Sequence, residues 1–561
     1  MKRTNLLFAL ILVAYALYAV VFIHLTSALL EADPAKPWIP ETKRYYVLFD
    51  DAMISMRYAR NLADGDGLVW NPGGEKVEGY TNPAWVGYMA LFHLPNIDPA
   101  NTSLYIQVTG AVLLLANLFV VRAITRRVTG SDYAALAAVI FTAFYLPLNT
   151  WSLQGTEVSV LTLLVSVGAW WGVRLLAEDR FSVGPYLLLG AGTLVRLDAG
   201  VPYVMLAAFL FWAQRRNPQH RVQHLVAAPL VLLAFLVPQT AFRLWYYDEW
   251  LPNTYYLKME GLPLVERVLH GADVTLRVFI KLGVFPLLAL IFRQDRAVRL
   301  LAWLFVGQVL YSIYVGGDAW EWYGGANRYV SIAMPLFFVL LWTTLHALYT
   351  WLVDAGPQRA NPQMVRYGLA AFALFLLVSF NATYGPGALD EWLLIKPSMD
   401  SGGNGAKVEQ ALAVRWYTHD DATVALAGAG IVPYFAERTY IDLLGKSDAV
   451  IAHLPMDRTI IPELKPGHMK WDYSYSIGEL QPDMVMELWA EDKTFAQAQP
   501  YLADDYYRAW WPMNGTAFYL RHGSPQVQWP HIIPNYEPPV AAPPPGAPDP
   551  APDTPDTRPL D

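Results

Sequence analysis

The chain has 561 residues, of which 55% are hydrophobic and only 16% are charged. This composition excludes a largely disordered chain and an ordinary soluble enzyme, and it favours lipid as the main solvent. Forty Lys and Arg against 48 Asp and Glu give a net charge of −8, so the basic surplus of nucleic-acid-binding proteins is missing, and the lack of cysteine excludes disulfides and thiolate chemistry.

Apolar segments of spanning or near-spanning length predict about eleven transmembrane helices. The first runs from Leu6 to about Leu30 and is too long for the core of a signal peptide, so we interpret it as a retained helix. Between Pro83 and Pro95 a ten-residue apolar piece spans only about 15 Å, and we expect it to lie at the membrane interface. The other segments are near 104–121, 133–148, 156–175, 184–196, 199–213, 224–244, 273–292, 298–315, 328–350 and 367–382, and the 184–213 pair also fits one kinked helix.

The cations between these segments fall in alternate loops. Placing those loops in the cytoplasm satisfies the positive-inside rule throughout. The opposite loops, at 31–103, 149–155, around 197, 245–272, 316–327 and after about 383, are then extracytoplasmic, and function is expected there. The cytoplasmic cations are Lys2, Arg3, Arg122, Arg126, Arg127, Arg174, Arg180, Arg215, Arg216, Arg221, Arg293, Arg296, Arg299, Arg359 and Arg366.

Three regions follow from the composition along the chain. Residues 1–382 are predicted to form a transmembrane domain whose first outer loop covers 31–103. From 383 to 520, short β-like runs at 423–426, 440–443 and 484–486 alternate with helical stretches, which indicates an extracytoplasmic α/β domain. Residues 521–561 carry 13 of the 41 prolines and no periodic apolar face, so we expect a disordered or polyproline tail.

Two adjacent carboxylates, Asp50 and Asp51, open a helix-like run in the first outer loop. Neighbouring like charges raise one another's pKa, which suits a base that accepts a proton from a hydroxyl, and carboxylate oxygens also bind divalent cations. Taken alone, two acids at a helix start are more typical of a simple N-terminal cap that interacts with the helix dipole. The charges around the pair decide between these alternatives.

Charged residues also stand at the ends of predicted spans, where lipid disfavours them. Arg196 and Asp198 lie at a hairpin tip, Glu157 starts a span, and Asp318 and Arg328 bracket a loop. Since a charge at the bilayer centre costs about 2.5–3.5 kcal/mol or more, such residues either pair with one another or line a polar cavity. Arginines in a cavity match phosphate oxygens through two parallel hydrogen bonds.

Two further segments carry candidate binding residues. The loop WYYDEWLPNTYYLKMEG at 245–261 contains Asn253 and Lys258, and Lys258 can hold a phosphate as a point charge, whereas the Tyr and Trp of this loop also fit an ordinary interfacial belt. His453 and His468 lie far apart without a third ligand at a recognisable spacing, so we expect structural or acceptor-contact roles and no metal site for them.

A series of motifs occurs in a recognisable order over roughly residues 45–485. They are FDDAMISMRYARNLADGDGLVWNPGGEKVEGYTNPAW, LVRLDA, LPNTYYLK, VGGD followed by NRY, and AGAGIVPYFAERTYIDLLGKSD with PGHMK. The series resembles the mycobacterial terminal arabinofuranosyltransferase (AftB-type) family, within the wider circle of polytopic GT-C glycosyltransferases. The chain departs from the family pattern in a longer spacer between Asp318 and Arg328 and in Tyr329, which replaces the usual Phe.

The resemblance implies transfer of a sugar, with arabinofuranose as the leading guess, from a polyprenyl-phosphate donor to a hydroxyl of a cell-envelope glycan or protein. It maps the family's acidic pair onto Asp50 and Asp51, which we expect to be catalytic, and a shared divalent cation (Mg²⁺, Mn²⁺ or Ca²⁺) is a further option for them. Donor-phosphate contacts are expected from Arg196, Lys258 and Arg328 because they stabilise charge on the departing phosphate. Other substrate contacts are expected from Tyr80, Asn82, Glu157, Asn253 and Asp318.

The expected partners are the lipid-linked donor, a glycan or glycoprotein acceptor and the bilayer, and no nucleic acid. The expected location is the cytoplasmic membrane, with the active site and the C-terminal domain on the outer face. A transporter or flippase of lipid-linked sugars is the main alternative, because it also needs cations and aromatic surfaces in the membrane. Transporters often show matched halves with broken helices, and we find no such halves in this sequence. The polar motifs of the chain are also predicted to lie on one side of the membrane. Both observations favour an enzyme over a transporter.

Overall fold

The computed structural model describes residues 3–283, 285–292, 295–318, 327–355, 361–382, 387–398 and 401–533. The chain starts with helix α1 (Arg3–Thr26) and continues into a folded segment, the first loop, at 27–98. The first loop contains the antiparallel strands β1 (Ala28–Leu30) and β2 (Lys43–Tyr45) and the helices α2 (Asp50–Asp64) and α3 (Pro83–Ala90).

Fourteen further helices form the rest of the membrane domain among the described residues. Several begin at side-chain caps: Asp98, Ser131 and Asn217 each accept a hydrogen bond from a backbone N–H in the first turn. The helices are α4 (Pro99–Thr129), α5 (Asp132–Ala143), α6 (Leu146–Leu153), α7 (Val158–Glu178), α8 (Gly184–Val195), α9 (Gly200–Gln214), α10 (Pro218–Tyr247), α11 (Asn253–Met259), α12 (Leu264–Leu282), α13 (Ala289–Phe292), α14 (Arg296–Val315), α15 (Arg328–Ser331), α16 (Met334–Thr350) and α17 (Pro362–Ala382).

Eight helical segments of the described chain are long and apolar enough to cross a membrane, and a ninth is formed if α5 and α6, bent by 54° at their junction, count as one span. The eight are α1, α4, α7, α9 with its preceding 3-10 turn, α10, α14, α16 with its extension to Val353, and α17. The molecule is therefore a polytopic helical membrane protein, as predicted, with fewer full-length spans than the eleven expected.

Two of the predicted segments, 184–196 and 273–292, do not form full-length spans, and each has a local explanation. The segment at 184–196 forms α8, whose 12 residues reach only about 18 Å. It still runs back along α7, because Arg196 just after α8 pairs with Glu157 just before α7. The segment at 273–292 is interrupted: it contains the end of α12, a 3-10 turn (Phe285–Leu288) and the four-residue α13. Apolar composition alone did not reveal these breaks.

Helix α3 is not a membrane span, in agreement with the expectation for the piece between Pro83 and Pro95. It covers only eight residues, and Trp85, Val86 and Met89 are buried in protein rather than exposed to lipid. The indole N–H of Trp85 donates to the carbonyl oxygen of Gly155 at 2.9 Å, which ties the first loop to the turn before α7.

The C-terminal region is a mixed α/β domain around a five-stranded sheet. The strand order is β4-β3-β5-β7-β6, with β3 parallel to β4 and β5, and β7 antiparallel to β5 and β6. The three predicted β-like runs coincide with β3, β4 and β5, whereas β6 and β7 were not predicted. The elements are α18 (Ala388–Trp392), α19 (Asn404–Tyr417), β3 (Thr423–Leu426), α20 (Ile431–Ala436), β4 (Thr439–Asp442), α21 (Ala449–Ala452), β5 (Met484–Val485), α22 (Glu491–Leu502), β6 (Tyr506–Trp510) and β7 (Ala517–Arg521).

The folded domain extends past residue 520, where the Pro-rich tail was expected to begin. Ser524, Val527 and Trp529 are buried, and Val527 pairs with Thr418 in a short antiparallel bridge. Residues 521–533 therefore belong to the α/β domain. The remainder of the expected tail, 534–561, lies outside the described residues.

The first loop and the C-terminal domain share one hydrophobic core, in which α2 packs on α20. Arg57 of α2 is 1% exposed and donates to the carbonyl oxygens of Pro433 and Arg438. Its guanidinium also lies over the Tyr440 ring, 5.0 Å from the ring centroid. A buried guanidinium satisfied by carbonyl groups of the other domain fixes the orientation of α2, and hence of the acidic pair at its first turn.

Candidate active site

A cavity of about 700 Å³ lies where the first loop, the ends of the membrane helices and the C-terminal domain meet. We call it the central cavity. Its polar wall contains all three predicted phosphate-binding cations, and its apolar wall includes Val204, Leu232 and Leu236 of α9 and α10. Of the predicted site residues, it brings together Asp51, Tyr80, Asn82, Glu157, Arg196, Lys258, Asp318 and Arg328.

Asp51, in the first turn of α2, is held between two cations from distant parts of the chain. One carboxylate oxygen, Oδ2, accepts from the Arg328 guanidinium at 3.1 Å, and the other, Oδ1, lies 3.3 Å from the Lys446 ammonium. Burial raises the pKa of Asp51, but these two positive charges outweigh burial and hold the pKa of this carboxyl far below its usual range. Asp51 is therefore ionised at neutral pH.

Arg328, at the start of α15, contacts two carboxylates, those of Asp318 and Asp51. Its Nε and Nη2 donate to the two carboxylate oxygens of Asp318 at 2.7 and 3.0 Å, and Nη2 also reaches Asp51. The guanidinium lies over the Trp151 ring at 5.2 Å. A planar guanidinium binds one carboxylate through two parallel hydrogen bonds and still has an N–H for a second acid, a geometry that the lysine ammonium does not match.

Arg196, in the turn between α8 and α9, forms a second ion cluster. Its guanidinium contacts Glu157 at 2.6 Å and Asp198 at 2.8 Å and lies over the ring of Tyr329. The other Glu157 oxygen accepts from the Asn82 amide at 2.9 Å, so the first loop is attached to this cluster. Arg196 thus lines the cavity with both neighbouring carboxylates already engaged.

Lys258 of α11 differs from the other cavity cations, because its ammonium makes no hydrogen bond or ion pair within the described part of the chain. Burial and the positive charge of Arg328 lower the pKa of Lys258 to about 8. Its stem packs under Gly467, where φ is +82° and an added Cβ would lie 3.2 Å from the lysine Cε. Lys258 is consequently the cavity cation best placed to accept an anionic ligand.

Asp50 does not line the central cavity, contrary to the expectation of a catalytic pair. Its Oδ1 accepts from the backbone N–H of Ile431 at 3.0 Å, at the start of α20, and lies 3.8 Å from the Lys407 ammonium. The backbone is so close here that a Cβ at Gly430 would collide with the Asp50 carbonyl oxygen. Successive residues of a helix point about 100° apart, which directs the two acids to different partners.

Asn253 and Tyr80 have surroundings that differ from those expected. Asn253 does not line the cavity, because its amide donates to the carbonyl oxygens of Gly445, Lys446 and Asp448 at 2.9–3.2 Å. It therefore holds the loop that carries Lys446. Tyr80 lines the cavity, but its hydroxyl is within hydrogen-bond distance of the Tyr247 hydroxyl at 2.9 Å.

Lys446 and His468 also line the central cavity, although neither was among the predicted site residues. Lys446 contacts Asp51, and His468 is buried in the same wall with its ring 5.1 Å from the Trp489 ring. Burial and nearby Lys446 lower the pKa of His468 to about 3, so the imidazole is neutral. The motifs DLLGKSD and PGHMK did contain both residues, but only the fold shows that both line the same cavity as Asp51.

The side chains around the acidic pair do not suit a divalent cation. Asp51 faces two cations, and Asp50 faces a backbone N–H and a lysine. Hard cations such as Mg²⁺ and Ca²⁺ require several oxygen ligands converging on one point. No group of three His, Cys, Asp or Glu side chains in the described ranges could hold a metal ion. The side chains around Asp50 and Asp51 therefore give no support to a metal ion shared by the two acids.

Two family models match separate parts of this chain. Residues 99–241, which run from α4 into α10, match the model described as dolichyl-phosphate-mannose-protein mannosyltransferase. Residues 401–529, which form most of the C-terminal domain, match a domain of unknown function (DUF8728). No curated protein matches the chain. The mannosyltransferase match supports the enzyme class expected from the sequence motifs.

Two of the solved structures that match the chain differ in how closely they resemble it. The crystal structure of ArnT from Cupriavidus metallidurans, bound to undecaprenyl phosphate, is 14% identical with a TM-score of 0.52, and the match covers 91% of this chain and 97% of that chain. The oligosaccharyltransferase of Archaeoglobus fulgidus is 13% identical with a TM-score of 0.47 and covers 95% of this chain and 75% of that chain, which is too loose a match to bear on the fold. The likeness to ArnT confirms a polytopic helical fold with a C-terminal α/β domain, and it does not single out the arabinofuranosyltransferase subfamily.

Proposed function

We propose that the chain is a membrane glycosyltransferase of the GT-C type, which moves a sugar from a polyprenyl-phosphate donor to a hydroxyl of a glycan or glycoprotein acceptor. The observation that carries the proposal is the central cavity, where an ionised carboxylate (Asp51) and an ammonium without an ion-pair partner among the described residues (Lys258) line one space at the ends of membrane helices. A lipid-linked sugar phosphate needs this combination, because its phosphate is anionic and its tail must stay in lipid.

The two walls of the cavity match the two halves of such a donor. Val204, Leu232 and Leu236 belong to α9 and α10, and most of the α10 surface is free of protein contacts. An isoprenoid tail along this wall stays in an apolar environment, and its phosphate reaches the level of Lys258 and Arg328. Arg196 is paired with Glu157 and Asp198, so we expect it to contribute less to phosphate binding than Lys258, which has no ion-pair partner among the described residues.

In the proposed reaction, the acceptor hydroxyl oxygen attacks the anomeric carbon of the donor sugar. The bond from that carbon to the phosphate oxygen breaks, and polyprenyl phosphate leaves with the electron pair. The hydroxyl proton passes to the carboxylate of Asp51, which acts as the general base. Lys258 and Arg328 stabilise the negative charge that grows on the phosphate, an effect that is commonly the largest in enzyme catalysis.

Donor binding also improves Asp51 as a base. Without donor, Arg328 and Lys446 hold the pKa of Asp51 far below its usual range, which makes the carboxylate a weak proton acceptor. A phosphate beside Arg328 adds negative charge and draws the guanidinium toward it. The pKa of Asp51 then rises at the moment when the acceptor hydroxyl must lose its proton.

The finer features of the proposal rest on the sequence. Arabinofuranose is the proposed sugar because the ordered motifs resemble the AftB-type family. The outer face of the cytoplasmic membrane is the proposed location of the cavity and the C-terminal domain, because the loop cations fall on the opposite side. A flippase would need the cations to be reachable from both membrane faces, whereas the described site residues gather at one end of the helices.

The experiment is a transfer assay with the full chain in lipid nanodiscs. Polyprenyl-phosphate arabinofuranose, mannose and aminoarabinose are supplied in turn with a mixed glycan acceptor, and free polyprenyl phosphate is measured. We expect release with at least one donor and none with Asp51→Asn. Failure of the wild type to release polyprenyl phosphate from any donor, together with movement of the intact donor across proteoliposomes, would replace the transferase by the flippase.

A further inference from the structure

A second cavity, of about 540 Å³, lies on the C-terminal side of Asp51. Asp51, Lys446 and His468 line both this cavity and the central cavity, so they form the wall between the two. Asp50 lines the second cavity but not the central cavity. The adjacent carboxylates at the start of α2 therefore face two different spaces, and the carboxylate assigned as the base can be reached from both.

The second cavity lies at the carboxyl ends of the parallel strands. Strand β3 lies between β4 and β5 in the sheet. The chain therefore passes from β3 to β4 on one side of β3 and later enters β5 on the other side of β3. Ligands of open α/β sheets bind in the crevice created by such a reversal of strand order. Gly428 follows β3, Glu487 follows β5, and the Gly428 N–H donates to the Glu487 carboxylate at 2.9 Å across the opening.

Two side chains of this cavity carry buried N–H groups without a partner in the part of the chain that the structure describes. They are the indole Nε1 of Trp489 and the amide Nδ2 of Asn404. Asn404 is only 4% exposed. Buried donors are nearly always satisfied, because an unmet one loses its hydration without a replacement. Hydroxyl oxygens of a ligand would be suitable acceptors for these two groups.

The backbone of Trp489 is fixed independently of its side chain. Its N–H donates to the hydroxyl of Tyr473, and its carbonyl oxygen accepts from the hydroxyl of Thr494. The indole ring is thus presented at the cavity on a rigid support, close to the buried His468 ring. An aromatic plane beside N–H donors and a carboxylate is suited to a sugar ring, which has one apolar face and a rim of hydroxyl groups.

The charges of the second cavity disfavour an anionic ligand. Lys407 and Lys446 are opposed by Asp50, Asp51 and Glu487. Lys407 lies 3.8 Å from Asp50, so its charge is partly used, and a phosphate would meet several carboxylates. The central cavity, with Lys258 free of such a partner among the described residues, is better suited to a phosphate.

We propose that the second cavity binds an uncharged sugar ring of the acceptor glycan and that its hydroxyl meets the donor at Asp51, through the wall shared by the two cavities. The proposal rests on the proposed function for the chemistry and gives a saccharide-binding role to the C-terminal domain. Trp489 supplies the aromatic face, Asn404 and the indole N–H donate to ring hydroxyls, and the Glu487 carboxylate accepts from one.

The test separates acceptor binding from donor binding in the full chain. Trp489→Ala, Trp489→Phe and Asn404→Ala are assayed with uncharged oligosaccharides of arabinofuranose, galactofuranose and mannose as acceptors. We expect Trp489→Ala to raise the acceptor KM about tenfold or more, and Trp489→Phe and Asn404→Ala to raise it less, because each removes one hydrogen bond. The donor KM and slow donor hydrolysis without acceptor stay at wild-type values.

Trp510→Ala is the matched control, since Trp510 is exposed on β6 of the same domain and lines neither cavity. An unchanged acceptor KM in Trp489→Ala, or a raised donor KM instead, would overturn the proposal while leaving the transferase in place. Calorimetric titration of the wild type with the same oligosaccharides is independent of turnover. Binding that Trp489→Ala abolishes supports the saccharide site even if no donor is turned over, and absence of binding for the whole panel counts against it.

Discussion

The Asp51 carboxylate accepts a hydrogen bond from the Arg328 guanidinium at 3.1 Å, although the two residues are 277 positions apart in the chain. Arg328 is itself held by Asp318, and the other Asp51 oxygen faces Lys446 of the C-terminal domain. The carboxylate is therefore fixed where the first loop, the membrane helices and the C-terminal domain meet. Since its neighbours come from separate parts of the chain, each contact can be altered without removing the others.

Asp51→Asn is expected to reduce sugar transfer by about 10²- to 10⁴-fold, the usual contribution of a general base. The amide has nearly the shape of the carboxylate but cannot take the hydroxyl proton. Initial rates of polyprenyl phosphate release at saturating donor and acceptor measure the loss, and the thermal midpoint in detergent shows whether the variant is folded.

Asp50→Asn is the matched comparison, and we expect it to keep more than about a tenth of the wild-type rate. The amide oxygen of the new side chain can still accept from the Ile431 N–H, so the contact between α2 and α20 survives. Equal losses in Asp50→Asn and Asp51→Asn would show that both carboxylates take part in the chemistry and would contradict the division between two cavities.

The donor KM should depend on pH through Lys258. Burial and Arg328 lower the pKa of Lys258 to about 8, so the ammonium loses its proton as the pH rises through that value. Donor affinity is therefore expected to be constant below about pH 7 and to weaken above pH 8, because only the charged form attracts phosphate. Lys258→Arg should remove this dependence, since guanidinium stays charged. The same alkaline rise of KM in that variant would exclude Lys258 as its source.

Arg196→Ala should destabilise the protein more than Lys258→Ala. Arg196 is buried between Glu157 and Asp198, and removing it leaves two carboxylates without their counter-ion, which typically costs about 3–5 kcal/mol. Lys258 has no such partner in the described chain. Thermal midpoints of the two variants in the same detergent measure the difference, and Arg196→Ala combined with Glu157→Gln should recover part of the loss. A smaller drop for Arg196→Ala than for Lys258→Ala would contradict this account.

Much of the membrane architecture could be predicted from the sequence, because long apolar runs have few alternatives to a span. The contacts of Arg196 with Glu157 and of Arg328 with Asp318 could also be anticipated from the sequence, since isolated charges at span ends must find a partner or a polar cavity. Segment 184–196 shows the limit of this reasoning. Its composition fits both a full span and half of a bent one, and only packing along α7 decides that α8 stops at Val195.

The candidate active site was only partly predictable from the sequence, for a geometric reason. Neighbours on a helix differ in direction by about 100°, so the sequence could not tell which of Asp50 and Asp51 faces the cavity. Lys446 lies 395 residues from Asp51, in a different domain. The loop that carries it is set by Asn253 and by the Asp442 carboxylate, which accepts from the Ser447 N–H at 2.7 Å. Such long-range contacts leave no local pattern.

Chelation should leave the transfer rate unchanged. The oxygens of Asp51 face Arg328 and Lys446, and Asp50 accepts from a backbone N–H, so neither acid offers the converging oxygen ligands that Mg²⁺ or Ca²⁺ requires. Polyprenyl phosphate release is measured after dialysis against EDTA and again after add-back of magnesium, manganese or calcium. A loss with EDTA that add-back restores would contradict the metal-free base and return the acidic pair to a metal-binding role.

Lys446→Met should make the reaction slow down at low pH, where the wild-type rate stays constant. Asp51 must be ionised to accept the proton, and in the wild-type enzyme without donor its pKa lies far below the usual range. We therefore expect kcat/KM for the donor, which reports the free enzyme, to stay flat down to about pH 5. Removing the Lys446 charge leaves burial, which raises the pKa, opposed mainly by Arg328. The rate should then fall as the pH drops through the raised pKa of Asp51. Lys36→Met, which breaks a distant ion pair with Glu409, is the control and should keep the flat profile. A flat profile in Lys446→Met as well would mean that Lys446 does not set the ionisation of Asp51, and that Arg328 alone is sufficient to hold the base in its charged form.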